Sequence, residues 1–73
     1  MDNTFSKLLP KLRNEKKLKQ TDLAKLLHVS QDTISLWECG KSYPDFENIK
    51  KLAEIFDVSA DYLLGLKDFW RLT

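Results

Sequence analysis

The sequence predicts an all-α fold of five short helices, and three observations support this prediction. Only two glycines and two prolines interrupt its 73 residues. Apolar residues recur at the three- and four-residue spacing of a helical face, and no stretch alternates with the two-residue period of a strand. Residues that commonly cap helices separate the apolar groups, so the connections are short and the helices must pack on one another.

The first predicted helix has one apolar face, made of Phe5, Leu8, Leu9 and Leu12. Thr4 is in position to cap its start. Pro10 lies within the pattern, where it removes a backbone hydrogen bond and should kink the helix. Alternatively the regular helix begins at Pro10, where a first-turn proline is harmless. A kinked helix that spans both halves is the preferred prediction.

The second and third helices are separated by His28-Val29-Ser30. The second should open near Gln20 and carries the apolar set Leu23, Ala24, Leu26 and Leu27. Ser30 is a good N-cap for the third helix, which has Ile34 and Trp37 on its inner side. Gly40 is expected to end that helix as its C-terminal cap.

Two more helices follow a loop that runs from Gly40 to Pro44. Asp45 should cap the fourth, whose predicted inward residues are Phe46, Ile49, Leu52, Ala53 and Phe56. Ser59 should cap a short fifth helix that contains Tyr62 and Leu63 and is closed by Gly65. Four aromatic residues at helical spacing are therefore predicted to belong to the core: Trp37, Phe46, Phe56 and Tyr62.

Composition excludes several classes of function. Cys39 is the only cysteine, so no internal disulfide forms, and one cysteine with one histidine cannot fill a zinc site. The sequence has neither a long apolar run nor a secretory signal, which favours a cytoplasmic protein without a membrane span. No catalytic triad, paired-carboxylate or glycine-rich phosphate motif is present, so we expect no enzyme, cofactor or small-molecule ligand.

Charge is distributed unevenly, although the net charge is only +1. Residues 1–30 contain seven Lys/Arg and three Asp/Glu, whereas residues 31–73 contain five Lys/Arg and eight Asp/Glu. A basic face of this kind can meet phosphates, but it is equally compatible with charges that only solvate helix surfaces.

The third helix divides into two faces at 100° per residue. Its outer arc holds Gln31, Asp32, Ser35, Leu36 and Cys39, and its inner arc holds Thr33, Ile34, Trp37 and Glu38. Small and amide side chains suit a helix that lies close in a DNA groove and contacts base edges. Two short helices joined by a tight turn, with the second presented outward, form the helix-turn-helix arrangement that enters the major groove.

The stretch Gln20–Pro44 strongly resembles the phage-repressor and Cro-type helix-turn-helix family, also called the Xre family. The matching residues are Ala24, Val29-Ser30, Thr33-Ile34-Ser35, Trp37-Glu38 and Gly40-Lys-Ser-Tyr-Pro, followed by Leu52-Ala53, Phe56–Ser59 and Asp61–Gly65. The resemblance covers roughly residues 5–65. It implies a compact five-helix, lambda-repressor-like DNA-binding domain over residues 1–65, with an apolar tail at 66–73. It also implies a regulator, expected to be a repressor that binds an inverted-repeat operator as a homodimer.

The resemblance also implies roles for individual residues. Gln31, Asp32, Ser35 and Leu36 match positions that face bases, and Gln31 is the best candidate for pairing with adenine. Gln20, Ser30 and Lys41 match phosphate contacts, and Gln20 also supports the recognition helix. Arg13 and Glu38 match a partly buried ion pair. Lys19, expected to bind phosphate, adds electrostatic attraction together with Lys7, Lys11, Lys16 and Lys17.

The sequence departs from the family pattern at four positions. His28 stands where glycine is usual in the turn, and Lys19 stands where a Ser or Thr cap is usual. Asp32 puts a negative charge on the outer face, where it could accept a hydrogen bond from cytosine's amino group or repel phosphate. Leu36 could touch a thymine methyl or pack against a partner protein.

The tail is too apolar for an ordinary terminus in water. It could fold back on its own core, or it could form a dimer interface with the fifth helix, and the second is preferred. The predicted dimerisation residues are Tyr62, Leu66, Phe69 and Trp70. The rival to a DNA-binding regulator is a protein-interaction module, such as an antitoxin or helper subunit, that uses Leu36 and the tail.

Overall fold

The computed structural model describes residues 4–66, which form five helices. These are α1 (Thr4–Glu15), α2 (Gln20–Leu27), α3 (Gln31–Cys39), α4 (Phe46–Phe56) and α5 (Ala60–Leu63). Residues 4–66 contain no strand. α3 contacts both α1 and α2, and α5 contacts both α1 and α4. The predicted all-α fold and its helix order are confirmed.

An apolar cluster joins all five helices. Its fully buried centre takes one residue from each, namely Leu9, Leu23, Ile34, Leu52 and Leu63. Burial of a side chain of this size stabilises a fold by about 1.5–3 kcal/mol. Because each helix contributes one such residue, none can detach without exposing part of the cluster.

α1 continues through Pro10. The alternative start at Pro10 is therefore wrong, and Thr4 is the first residue of the helix. An interior proline costs about 3 kcal/mol. Burial of Phe5, Leu9 and Leu12 at about 1.5–3 kcal/mol each exceeds that cost, so the apolar face keeps the helix in one piece.

Three of the predicted N-caps are confirmed by hydrogen bonds. The side-chain oxygens of Ser30, Asp45 and Ser59 accept from the backbone N–H three residues later, at 3.0–3.1 Å. α2 begins differently, because Lys19 has no oxygen to offer. There the carboxylate of Asp22 reaches back and accepts from the Lys19 N–H at 2.8 Å, which secures the start of α2 from inside the helix.

Each helix is closed by a residue in the left-handed region: Lys17, His28, Gly40, Asp57 and Gly65. The N–H of the following residue donates in each case to the carbonyl five residues earlier, at 2.8–3.0 Å. This closure satisfies carbonyls that a helix end would otherwise leave unpaired. The glycine stops were predicted, and His28 adopts the left-handed conformation that the glycine usual at its position would adopt, whereas Lys17 and Asp57 were not predicted to end helices in this way.

Phe46 is not in the core, contrary to the prediction. Its side chain is 76% exposed, although Ile49, Leu52 and Phe56 on the same helix are buried. Phe46 is the first residue of α4, and helical side chains lean toward the N-terminus. It therefore projects beyond the end of α4, away from the cluster that the other three residues reach.

The predicted tail begins at Leu66, which is 71% exposed. Phe69, Trp70 and Leu72 lie outside the described residues. Tyr62, the fourth predicted dimerisation residue, is half-buried on α5.

Candidate nucleic-acid interface

α2 and α3 form a bihelical unit that rests on the core. Ala24 is buried, with only 4% of its surface exposed, so α3 can approach α2 closely. Val29 in the turn packs against the apolar cluster, and His28 supplies the left-handed conformation that reverses the chain. Ile34 and Trp37 anchor α3 from below, with 0% and 3% exposed.

Burial separates the two faces of α3 as the helical arcs predict. Gln31, Asp32, Leu36 and Cys39 are exposed and Ser35 is half-buried, whereas Ile34 and Trp37 are buried. The candidate base-facing residues therefore share one surface. The anchoring side chains are directed into the core, so that surface is held rigidly.

A charged pair ties α3 to α1. Arg13 Nε donates to Glu38 Oε2 at 2.8 Å, and Arg13 Nη2 donates to Glu38 Oε1 at 3.2 Å. Arg13 Nη1 donates to the carbonyl of Leu18 at 2.9 Å, which also holds the α1–α2 turn. The two side chains are only 13% and 10% exposed, so this bidentate pair is largely shielded from water.

Two glutamines extend this pair to the surface. Gln20 Nε2 donates to Glu38 Oε1 at 2.9 Å, and Gln31 Nε2 donates to Gln20 Oε1 at 3.3 Å. A carboxylate only accepts hydrogen bonds, so Glu38 requires the Gln20 amide to present nitrogen to it. The Gln20 oxygen then faces Gln31, and this chain of contacts directs which end of the Gln31 amide points outward.

The Ser30 hydroxyl at the start of α3 is already used in hydrogen bonds within the protein. Ser30 Oγ accepts from the Thr33 N–H at 3.1 Å and lies 2.9 Å from Thr33 Oγ1. The first backbone N–H groups of a helix have no partner within the helix. Those N–H groups, more than the Ser30 hydroxyl, are available to an anion at this end of α3.

Asp32 lies in the first turn of α3 and is exposed. Acidic residues also occupy the first turns of α2, α4 and α5, at Asp22, Glu47 and Asp61. A negative charge there stabilises a helix by about 0.3–1 kcal/mol through the helix dipole. Asp32 thus has a structural reason to be present, even though it stands among the candidate base-facing residues.

Lys41 follows α3 directly and is exposed. Its N–H donates to the Leu36 carbonyl at 3.0 Å as part of the closure at Gly40. Two residues on, the ring of Tyr43 packs against Phe5 of α1 with centroids 6.0 Å apart. The loop is therefore held at both sides of Lys41, which fixes the backbone position from which its side chain extends.

The lysines of the first segment do not all share one surface. Lys7 and Lys11 line a shallow groove on α1 with Thr4 and Leu8. Lys11 also borders a second groove with Val58 and Tyr62, on the side of α1 that faces α5. Lys16, Lys17 and Lys19 instead lie in the α1–α2 turn, beside the Arg13–Leu18 contact.

Sequence reasoning missed two contributors to this surface. Thr33 was assigned to the inner arc, yet its hydroxyl meets that of Ser30, a contact that the spacing of three residues allows. Asp22 was not singled out, although an acid at the third position of a helix is half of a capping box.

Two further kinds of feature are absent from the described part of the chain. No group of three or more potential metal-ligating side chains comes together among residues 4–66. Within the same range, no helix has the length and apolar character needed to cross a bilayer.

Comparison with known proteins agrees with this geometry. The sequence profile of a family described as helix-turn-helix matches residues 11–63. The chain is 45% identical over 61 residues to the HTH-type transcriptional activator BcrR of Enterococcus faecalis. The aligned segment covers 84% of this chain and 30% of that protein. The chain thus spans less than a third of this relative's length.

Two solved structures share the fold. A transcriptional regulator from Listeria innocua superposes with a TM-score of 0.81 and 34% identity, covering 92% of this chain and 64% of that one. The P22 c2 repressor protein, in complex with a synthetic operator, superposes with a TM-score of 0.80 and 32% identity. That match covers 86% of this chain and 96% of the repressor chain.

Proposed function

The chain belongs to the helix-turn-helix family of phage-repressor and Cro type, and we propose that it is a transcriptional regulator that binds double-stranded DNA as a homodimer. α3 enters the major groove with its outer face toward the bases. We propose that it acts in the cytoplasm and that it is a repressor, as the P22 c2 repressor that shares its fold is by name. No catalytic reaction, cofactor or small-molecule ligand is assigned to it.

The observation that carries this proposal is the orientation of Gln31. One hydrogen of its amide nitrogen is used by Gln20 Oε1 at 3.3 Å, which leaves the second hydrogen and the Gln31 oxygen for a base. An adenine presents N7 as an acceptor and N6 as a donor in the major groove, and a glutamine amide can bind both. Gln31 is therefore proposed to select adenine.

The other residues of the outer face of α3 are proposed to discriminate between bases without adding electrostatic attraction to DNA. Asp32 accepts from the N4 amino group of cytosine, Leu36 contacts a thymine methyl, and Ser35 donates to or accepts from a neighbouring base. None of these side chains is positive, so they cannot supply nonspecific affinity for DNA.

Phosphate binding is proposed to surround this face. Gln20, the backbone N–H groups that begin at Ser30, Lys41 and Lys19 contact phosphates on either side of the groove. Each phosphate neutralised by a lysine steepens the salt dependence by about 0.9 in log–log slope. Lys7 and Lys11 line a groove on α1, and Lys11 also borders Tyr62 of α5, so we expect both to contribute through long-range attraction and not through direct contacts.

Dimerisation is proposed to set the operator's symmetry. Tyr62 and Leu66, with Phe69 and Trp70 beyond the described residues, form the interface. The described part of one protomer measures 32 × 25 × 22 Å, and half-sites one helical turn apart are separated by about 34–36 Å. None of these dimensions exceeds that separation, so two protomers can lie side by side on adjacent half-sites without overlap.

Selection of bound sequences from random duplex DNA at moderate salt tests the proposal. We expect enrichment of an inverted repeat whose half-sites are about one turn apart, with an invariant adenine that Gln31→Ala relaxes. Cys39→Ser, a matched change on the same helix, should leave the enriched sequence unchanged. Absence of any enrichment, together with a tight protein partner, would instead favour a protein-interaction module that uses the 43%-exposed Leu36.

A further inference from the structure

A groove between α4 and α5 is not used by the proposed DNA contacts. It has a volume of about 400 Å³ and runs along α4 from Phe46 to the turn before α5. Its apolar lining includes Phe46, Ala53, Val58 and Ala60. A water molecule takes up about 30 Å³ of liquid, so the groove is large enough for more than one bulky side chain.

The groove has features of a docking surface. Phe46 at its far end is 76% exposed, more than any other large apolar side chain in the described range. Lys50 and Glu54 also line it, one helical turn apart on α4. An exposed apolar strip bordered by charges of both signs is typical of a surface that a partner covers.

The chain itself contains a segment with matching chemistry. Residues 67–71 read Lys-Asp-Phe-Trp-Arg, so two adjacent aromatic residues stand between an acid and a base. With Phe69 and Trp70 against the apolar lining, Asp68 can face Lys50 and Arg71 can face Glu54. Aromatic pairs of this size supply most of the energy at many interfaces.

The length of chain between Leu66 and the aromatic pair decides whether residues 67–71 bind the groove of their own chain or that of a second copy. The chain turns back after α5 at Gly65, and the Leu66 N–H is held by the Asp61 carbonyl at 2.8 Å, so Leu66 lies beside the first turn of α5. Four fully extended residues from Leu66 to Trp70 span at most about 14 Å. α4 is about 15 Å long from Phe46 to Phe56. A chain's own aromatic pair can thus cover the end of the groove at Ala60, whereas the end at Phe46, a helix length away, is left for a second copy.

We propose that the α4–α5 groove of each protomer binds residues 67–71 of a second copy, with Phe69 and Trp70 against Ala53 and Phe46. The exchange is reciprocal, as a twofold dimer requires, so each dimer contains two identical contacts. This inference rests on the dimer of the proposed function and specifies where its interface lies.

Charge reversal of Glu54 and Arg71 tests the exchange in the full-length chain by sedimentation equilibrium. Glu54→Arg and Arg71→Glu should each weaken dimerisation about tenfold, since each variant places like charges together in both contacts. An equimolar mixture of the two variants should dimerise within about twofold of the unmodified protein, because both contacts of the mixed dimer then join opposite charges. Phe46→Ala should also weaken dimerisation about tenfold or more, whereas Leu26→Ala, at a 52%-exposed leucine on α2, should not.

The outcomes separate this inference from the function on which it rests. If the single variants dimerise normally, the groove is not the interface, and the proposed dimeric regulator stands on another surface. If they weaken dimerisation but the mixture does not recover, the segment binds its own groove and the exchange is refuted. If the unmodified protein stays monomeric at high concentration with and without DNA, the proposed dimer and this inference both fail.

Discussion

Removal of Glu38 alone should destabilise the fold far more than joint removal of Glu38 and Arg13. In Glu38→Leu, Arg13 keeps its contact with the Leu18 carbonyl but loses both hydrogen bonds to the carboxylate. Its side chain is 13% exposed, so the charge is left mostly without water or a partner. Breaking a buried pair costs about 3–5 kcal/mol, and with the residual exposure here we expect about 2–4 kcal/mol.

That loss is large for a domain of this size. At about 0.05–0.15 kcal/mol per residue, a 73-residue chain has only about 4–11 kcal/mol of stability. Small domains lose about 4–8 °C in Tm per kcal/mol, so the single variant should melt about 8–32 °C lower. Arg13→Met should show a similar loss, whereas Arg13→Met with Glu38→Leu should come within about 1–2 kcal/mol of the unmodified protein.

Urea unfolding followed by helical circular dichroism measures this cycle directly. The double variant also separates stability from specificity, because it folds without the carboxylate that holds Gln20 Nε2 at 2.9 Å. We expect it to bind DNA with weaker preference for adenine at the Gln31 position. A loss below about 0.5 kcal/mol for either single variant would show that the pair behaves as a solvent-screened surface pair, and the reasoning would be refuted.

Three further changes probe single features of the molecule. Gln31→Ala should reduce the binding free energy by about 1–3 kcal/mol at one base pair, whereas Lys41→Ala should weaken binding to all sequences alike and lower the salt slope by about 0.9. Competition binding at several salt concentrations distinguishes the two effects. Identical behaviour of the two variants would contradict the assigned roles. His28→Gly should raise the free energy of unfolding by about 0.5–1 kcal/mol, because glycine adopts φ 59° without the penalty that histidine bears, and thermal melting that shows no gain would count against strain at this turn. Gly65→Ala should lower it by about 2–3 kcal/mol, since the new Cβ would stand 2.9 Å from Thr4 Cβ at φ +78°; a loss under about 1 kcal/mol in urea unfolding would mean that α1 yields easily there.

Local sequence chemistry predicted most of the helix boundaries. Ser30, Asp45 and Ser59 each carry an oxygen that can cap a helix within three residues, and Gly40 and Gly65 adopt a left-handed turn freely. These preferences act between near neighbours, so they can be inferred without knowledge of the fold. The left-handed turn at Lys17 could not, because lysine has no preference for that conformation; aspartate adopts it more often, but nothing local to Asp57 distinguished it from the other aspartates.

Packing decided the questions that involve distant parts of the chain. α1 passes through Pro10 because Phe5 and Leu9 are buried by other helices, an energy that no local preference contains. Phe46 fits the apolar spacing of α4 but lies at its first residue, beyond what the neighbouring helices cover. Apolar periodicity identifies which face of a helix is directed toward the core. Whether a residue near the end of that face is buried depends on which neighbouring helices pack against it.

The candidate site divides in the same way. The sequence by itself determined which residues face outward on α3, because a helical period of 3.6 residues fixes the direction of each side chain. Its resemblance to a known family suggested that Arg13 and Glu38 pair. Only the tertiary structure decided that Gln20 joins Glu38 to Gln31 across two helices, since Gln20 and Gln31 are 11 residues apart and their contact depends on how α2 and α3 cross. Hydrogen bonds of this kind require distances correct to a few tenths of an ångström, which the close packing of all five helices provides.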